Sequence, residues 1–237
     1  MRKILLMLLG LVLSLDVLSQ NLSLADFKSV SSKIRSLKRY SYVAKITGQF
    51  PNGQKDVMTT TTYMDANKSS MAYKNEIEQV IVNQHWFYKV NHPEKYVSIF
   101  DIKKYQQKYP GPKGDISSLF NSTMSADFLD SAVIKVGKLT TAKRVGNISI
   151  FEFTFSKEVP LQTFILKFDN STGLPQSIAM RTVNQDEYGR PMEISVYCDS
   201  YSNSFPESVF ETNNLFNLNK GKVNLLKFKQ YKVSTIQ

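Results

Sequence analysis

Between Asn147 and Asp169 the chain alternates twice with a period of two residues, and that pattern constrains the fold more than any other feature of the sequence. Phe151, Phe153 and Phe155 are interleaved with Glu152, Thr154 and Ser156. Phe164, Leu166 and Phe168 are interleaved with Lys167 and Asp169 opposite. Successive side chains of a strand point to opposite faces, so each run is a strand with one aromatic face and one polar face. The same alternation recurs in Ile178 and Met180, which face away from Arg181, and in Ile194, Val196 and Cys198 against Glu193, Ser195 and Tyr197. Near the start, Tyr42, Ala44 and Ile46 oppose Ser41, Lys45 and Thr47.

The stretch Glu78–Asp101 carries the single tryptophan and both histidines. It alternates, turns at Asn91-His92-Pro93-Glu94 and alternates again. Trp86, Tyr88 and Val90 share one face, and Phe87 and Lys89 share the other. The expectation is that the Trp86 face joins the phenylalanine face. Turns are signalled at Pro51-Asn52-Gly53, Asp65-Ala66-Asn67, Asn170-Ser171-Thr172-Gly173 and Asp186–Pro191. The four threonines at 59–62 suit a β-rich sheet edge, and one further strand is expected over Val223–Thr235. Many short strands separated by such turns predict a large antiparallel sheet.

Two segments break the period. Over Leu22–Lys38, Leu24, Phe27, Val30, Ile34 and Leu37 recur at spacings of three and four, with Ser23 as a cap, which predicts an amphipathic helix. Over about 102–130 the pattern lapses into a short polar helix at Lys103–Lys108, a loop at Pro110–Gly114 and a second short helix at Ile116–Leu129. The fold class expected is therefore α+β. Residues 20–237 form one domain, with this segment as an insertion.

The first residues specify a compartment. Arg2 and Lys3 precede an apolar run, Ile4–Leu13, and a small polar tail, Ser14–Ser19. This is the layout of a secretory signal peptide over residues 1–19, cleaved near Ser19/Gln20. The apolar run is too short for a bilayer core of about 30 Å. No cysteine follows it, so a lipoprotein anchor is not expected, and the mature chain is expected to be soluble and periplasmic. The sole cysteine, Cys198, can form no intramolecular disulfide and is expected to be buried and inert. Removing residues 1–19 takes two basic side chains and one acidic, so the net charge falls from +10 to +9. Such a charge favours anionic partners, namely the lipid headgroups of a membrane surface, acidic polysaccharide or nucleic acid, and another envelope protein is a further candidate partner. The lysines are scattered and not clustered with stacking aromatics, which argues against nucleic acid.

Catalytic chemistry is not signalled. His85 and His92 lack the paired ligand spacing of a metal site. There is no Gly-X-Ser-X-Gly elbow, and Gly111-Pro112-Lys113-Gly114 lacks the spacing of a phosphate loop. The expectation is a non-enzyme without cofactor or metal. Asp130-Ser131-Ala132 resembles a short acceptor pattern for O-glycosylation, but an ordinary helix end is the default reading of three residues. The aromatic face is the informative feature: each of its phenylalanines contributes about 1.5–3 kcal/mol on burial, and bare it would invite aggregation. Helices cover it as a filled core, or a curved sheet leaves an apolar cavity for a lipid or acyl chain; the two are not exclusive, because a cavity-bearing fold still needs a core beneath it.

A signal peptide, an amphipathic helix, a first strand ending near Gly48 and the meander YKNEIEQVIVNQHWFYKVNHPEKYVSIFD resemble the periplasmic lipoprotein carriers and outer-membrane lipoprotein receptors, the LolA/LolB-like superfamily. The run FILKFDNSTGLPQSIAMRTVNQDEYGRPMEISVYCDSY is similar to that superfamily too, with a turn at Asp169, Thr172, Gly173, Leu174 and Pro175. The resemblance spans most of residues 22–201. It implies a strongly curved antiparallel sheet, an incomplete barrel wrapped around an N-terminal helix and short inserted helices. It also implies an apolar cavity lined by Trp86, Tyr88, Phe151, Phe153, Phe155, Phe164, Leu166 and Phe168, which Ile178 and Met180 extend. Arg35, Arg39, Arg144 and Arg181 are candidates by type for the lid-holding arginine of such carriers. The function expected is a binding protein for a lipid or lipoprotein acyl chain. The alternative is a structural or adaptor protein of the envelope with a fully packed sheet.

Overall fold

Strand succeeds strand from Arg39 onward because apolar residues at every second position leave no helical stripe to bury. The computed structural model describes residues 20–109, 133–185, 190–220 and 222–236. The expected signal peptide and its cleavage site, the Pro110–Gly114 loop, the helix at Ile116–Leu129, Asp130-Ser131-Ala132 and most of the Asp186–Pro191 turn lie outside these residues.

The chain opens with β1 (Gln20–Asn21) and α1 (Leu24–Ser36). A first meander follows: β2 (Arg39–Gln49), β3 (Lys55–Asp65), β4 (Ser70–Lys74), β5 (Glu78–Val82), β6 (Trp86–Asn91) and β7 (Tyr96–Asp101). After α2 (Ile102–Lys108) comes a second meander: β8 (Lys138–Val145), β9 (Ile148–Thr154), β10 (Leu161–Asp169), β11 (Leu174–Gln185) and β12 (Pro191–Ser202). The C-terminal part contributes β13 (Phe216–Asn219), β14 (Lys222–Leu225) and β15 (Lys232–Ile236).

Thirteen strands form one open, strongly curved sheet in the order β1-β8-β9-β10-β11-β12-β2-β3-β4-β5-β6-β7-β15. The two meanders join where β12 returns beside β2, Cys198 opposite Ala44. Neighbours are antiparallel except β15, which runs parallel to β7. The fold is thus the expected α+β incomplete barrel, with some local corrections. The threonine run is not at an edge, because β3 lies between β2 and β4. A second turn, at Asn83-Gln84-His85, splits the opening half of Glu78–Asp101; the Asn83 side-chain carbonyl accepts from the His85 and Trp86 amides at 3.0 and 2.8 Å. The expected strand Val223–Thr235 is two strands, β14 and β15, because the chain bends between Leu226 and Tyr231 around Phe228, whose φ is +57°.

α1 starts where predicted. Ser23 has extended backbone, its hydroxyl accepts from the Asp26 amide, and the Asp26 carboxylate accepts from the Ser23 amide, a reciprocal capping box. The helix stops at Leu37, whose ψ of 117° is extended. Phe27, Val30 and Ile34 form its buried side, lying on β9–β12 and β2.

Paired residues lie on the same face of a sheet, so the register traces each face across the molecule. One face runs Phe153–Phe164–Met180–Val196–Ile46–Met58. It then steps along β3 to Met64 and continues Met71–Val82–Phe87–Phe100. This is the inner face, on which α1 sits. Trp86 and Tyr88 flank Phe87 and therefore lie on the outer face.

Candidate functional site

The inner face is built from two apolar clusters. Over β9–β12, Phe151, Phe153, Phe164, Leu166, Phe168, Ile178 and Met180 pack beneath α1 with Phe27, Val30 and Ile34. The Phe27 ring is edge-on to Phe151 at 5.3 Å and tilted over Phe153 at 4.7 Å. Phe151, Phe153, Phe164, Leu166 and Phe168 are each at most 1% exposed, so this part of the inner face is filled. Phe155 is half-buried at its margin. Gly137 passes close to it: a Cβ there would lie 2.9 Å from the Phe155 ring and 2.6 Å from the Val133 carbonyl oxygen. Over β3–β6, Met64, Met71, Val80 and Val82 form the second cluster with Ile102 of α2. Tyr40 touches both clusters and joins them.

Trp86 and Tyr88 are not part of this lining. They belong to a third cluster on the outer face, with Ala72, Ile81, Val90, Val97 and Ile99, beneath a cover supplied by Phe210, Leu215 and Phe216. Phe216 stacks parallel to Tyr88 at 6.0 Å and meets Trp86 edge-on at 5.2 Å. The expectation that the Trp86 face joins the phenylalanine face is therefore corrected. The reason is register: Val82 pairs with Phe87 and not with Trp86.

At the end of β2 and β3 remote from Tyr40 and Met64, the inner face carries a band that is half-buried: Val196, Ile46, Met58 and Thr60 on β12, β2 and β3. Its far side meets a polar group on the same face. Glu78 receives the Lys89 ammonium at 2.6 Å and accepts from the Tyr73 hydroxyl. Burial alone would raise the Glu78 carboxyl; hydrogen bonds from Lys89 and Tyr73 outweigh it and hold the group below the usual carboxylate range. Burial, with Glu78 beside it, pushes the Tyr73 phenol well above its ordinary value. The apolar band thus ends at a neutral Lys89–Glu78 ion pair whose carboxylate also holds the Tyr73 hydroxyl.

Met58, Thr60, Tyr73, Glu78 and Lys89 were not singled out by sequence. They lie on β3, β4, β5 and β6, and only the register of these neighbouring strands brings them onto one face. The four candidate arginines separate. Arg39 binds Asp65 and Glu207, and Arg181 pairs with Glu193 at an exposed position. Arg35 lies in the last turn of α1, and Arg144 lies opposite Gln20. Cys198 is buried, as expected, and burial pushes its thiol up to about 11, where it is a poor nucleophile at neutral pH. Among the described residues no group of three or more His, Cys, Asp or Glu could hold a metal ion. His85 sits in the β5–β6 turn, while His92 packs edge-on against Phe228 and Tyr231.

An open antiparallel sheet, curved around one amphipathic helix and apolar along its inner face, defines the class: an α+β half-barrel. Sixty solved chains match it. One similar structure is a LolA superfamily protein from Nitrosomonas europaea, at 10% identity over 79% of this chain and 98% of that one, with a TM-score of 0.33. An uncharacterized conserved protein from Thermus thermophilus covers 89% of this chain and 99% of its own at 8% identity and a TM-score of 0.40. A putative outer membrane lipoprotein-sorting protein domain from Vibrio parahaemolyticus is similar at 8% identity over 80% and 96%, with a TM-score of 0.29. No protein-family model matches the sequence, and no curated protein matches it.

Proposed function

We propose that this chain is a periplasmic, non-enzymatic binding protein that holds a lipid or a lipoprotein acyl chain against the inner face of its half-barrel, as a carrier of envelope lipid would. The observation that carries this reading is a mismatch of widths. A sheet of thirteen strands spaced about 4.8 Å apart is roughly 58 Å along its arc, whereas a helix is about 10–12 Å across. Among the described residues only α1 and the seven-residue α2 are α-helices long enough to cover it, and the band Val196–Ile46–Met58–Thr60 of the inner face is half-buried. Buried apolar area supplies affinity. No helix of the described residues is long and apolar enough to cross a membrane.

The experiment is lipid extraction of the protein purified from its native host, with mass spectrometry, followed by uptake of a fluorescent fatty acid. Met58→Glu places a charge in the half-buried band, so it should leave the fold intact and lower uptake at least tenfold. A protein that carries no lipid and takes up no fatty acid would sink the proposal. That outcome would favour the second reading, an adaptor with a filled core, which the near-complete burial of Phe151, Phe153, Phe164 and Phe168 supports.

A further inference from the structure

The lysines are less scattered than expected: after Glu211 the sequence contains no acidic residue, and Lys220, Lys222, Lys227, Lys229 and Lys232 fall within a span of thirteen residues that also holds Phe228 and Tyr231. All five are exposed. Lys220 and Lys222 are carried by the β13–β14 hairpin, Lys227 and Lys229 by the bend that follows it, and Lys232 opens β15; the hairpin and bend are firmly seated. Phe216 is buried on Tyr88, and the Leu226 and Lys227 amides both donate to the Leu215 carbonyl, at 2.8 and 3.1 Å. The Lys232 amide donates to the Lys95 carbonyl, which brings a sixth lysine alongside; Glu94 in the same turn offsets one charge. Among these lysines stand aliphatic side chains that packing does not explain: Leu218 is 50% exposed and Leu226 43%.

We infer that the C-terminal hairpin docks the protein on an anionic phospholipid surface. Lysines draw a surface toward acidic headgroups, and leucines between them gain only if they enter the acyl boundary. A soluble acidic polysaccharide offers those leucines nothing, so a bilayer fits the combination better. The docking surface lies on the outer side of the sheet and does not depend on ligand uptake by the inner face.

The test is co-sedimentation of the full chain with vesicles of phosphatidylcholine doped with phosphatidylglycerol, against phosphatidylcholine alone. The wild type is expected to bind only the doped vesicles and to be released by salt. Replacing Lys220, Lys222, Lys227 and Lys229 by Gln is expected to lower the partition coefficient by roughly two orders of magnitude or more, as four charges near such a surface require. Replacing the same four by Arg should preserve binding, and Leu218→Ser with Leu226→Ser should weaken it several-fold. Fatty-acid uptake by the glutamine variant should match wild type; its loss would show that the substitutions act through the fold and would overturn the assignment. Equal binding to both vesicles, unchanged binding by the glutamine variant, or binding to a soluble acidic polysaccharide with none to vesicles would each overturn it as well. Docking that persists in a protein taking up no fatty acid would leave this inference standing and end the carrier reading alone.

Discussion

The inner face over β9–β12 is closed by a helix that precedes the first long strand, while the outer face over β4–β7 is closed by a segment that follows the last strand of the second meander. The two covers are attached by different chemistry. The buried side of α1 is Phe27, Val30 and Ile34, with Ser31 as its one polar member. The C-terminal segment is pinned by polar contacts as well as by rings. Arg39 reaches Asp65 at 2.6 Å, Glu207 at 2.7 Å and the Phe205 carbonyl at 2.7 Å, and it lies 4.0 Å over the Phe205 ring. The Asn83 side-chain amide donates to the Phe210 carbonyl at 3.0 Å. Apolar contact is non-directional and re-forms after a displacement, whereas a set of ion pairs and aligned hydrogen bonds fixes one geometry. The buried side of the helix is thus held mainly by apolar packing, and the C-terminal segment by polar contacts and rings together.

The largest expected effect comes from cutting both covers at their rings. Phe153→Ala should cost about 3–5 kcal/mol, because it opens a cavity in a fully buried cluster shared by helix and sheet. In urea denaturation the whole domain should shift as one transition. Phe216→Ala removes the same atoms from the outer cover, but that segment can come away by itself, so the loss should be local. Hydrogen exchange should show β13 and β14 deprotected while β9–β11 remain protected. Uniform deprotection in both variants would mean the covers are not independent.

That there are two covers was only half legible in the sequence. Period-two alternation marks the two faces of each strand, but which face of one strand meets which face of another is set by register, and a slip of one residue exchanges them. Trp86, Tyr88 and Val90 looked like a continuation of the phenylalanine face for that reason. A usable signal was present: Val80-Ile81-Val82 is an unbroken apolar run, the mark of a strand buried on both sides, and Phe87 puts a second aromatic opposite Trp86. The apolar positions that answer it, Phe205, Phe210, Leu215 and Phe216, show neither helical nor strand period, so no local pattern assigned them to a surface. The α1 interface was readable because its stripe, its cap and its partner face all lie in regular elements.

Next in size is Arg39→Ala. It leaves Asp65, with a side chain 3% exposed, without its cation. Arg39 is itself a quarter exposed, so solvent screens part of the loss, and the cost should be about 2–3 kcal/mol. If the covers are separate, fatty-acid uptake on the inner face should be unchanged while thermal unfolding begins earlier. Loss of uptake would tie the two faces together.

The alkaline limb of stability gives a sharper contrast. The Tyr88 hydroxyl is buried beneath the outer cover without a hydrogen-bond partner among the described residues, and burial raises its phenol from 10.0 to about 12. The neutral form is favoured in the folded protein. Its contribution is therefore complete below pH 10, the unfolded value, and is lost as pH rises through the folded value near 12. Over that window the protein should lose roughly 2–3 kcal/mol through this group. Tyr88→Phe should flatten this part of the limb. At neutral pH it should be neutral or stabilising by about 1 kcal/mol, since no hydrogen bond is lost. A destabilised phenylalanine variant at pH 7 would reveal a partner for the hydroxyl.

The smallest effect concerns the one buried polar side chain of α1. Ser31 is fully buried on α1, and its hydroxyl too has no hydrogen-bond partner among the described residues. Alanine is the better helix former by about half a kcal/mol and removes an unsatisfied oxygen, so Ser31→Ala should stabilise the protein by about 0.5–1.5 kcal/mol. The same change should tighten the helix against Phe153 and Phe164. If α1 is the cover that yields, the tighter helix should slow fatty-acid uptake a few-fold even though the band at Ile46 and Met58 is untouched. A stabilised variant with unaltered uptake kinetics would show that ligand reaches the inner face without moving the helix, through the half-buried band alone.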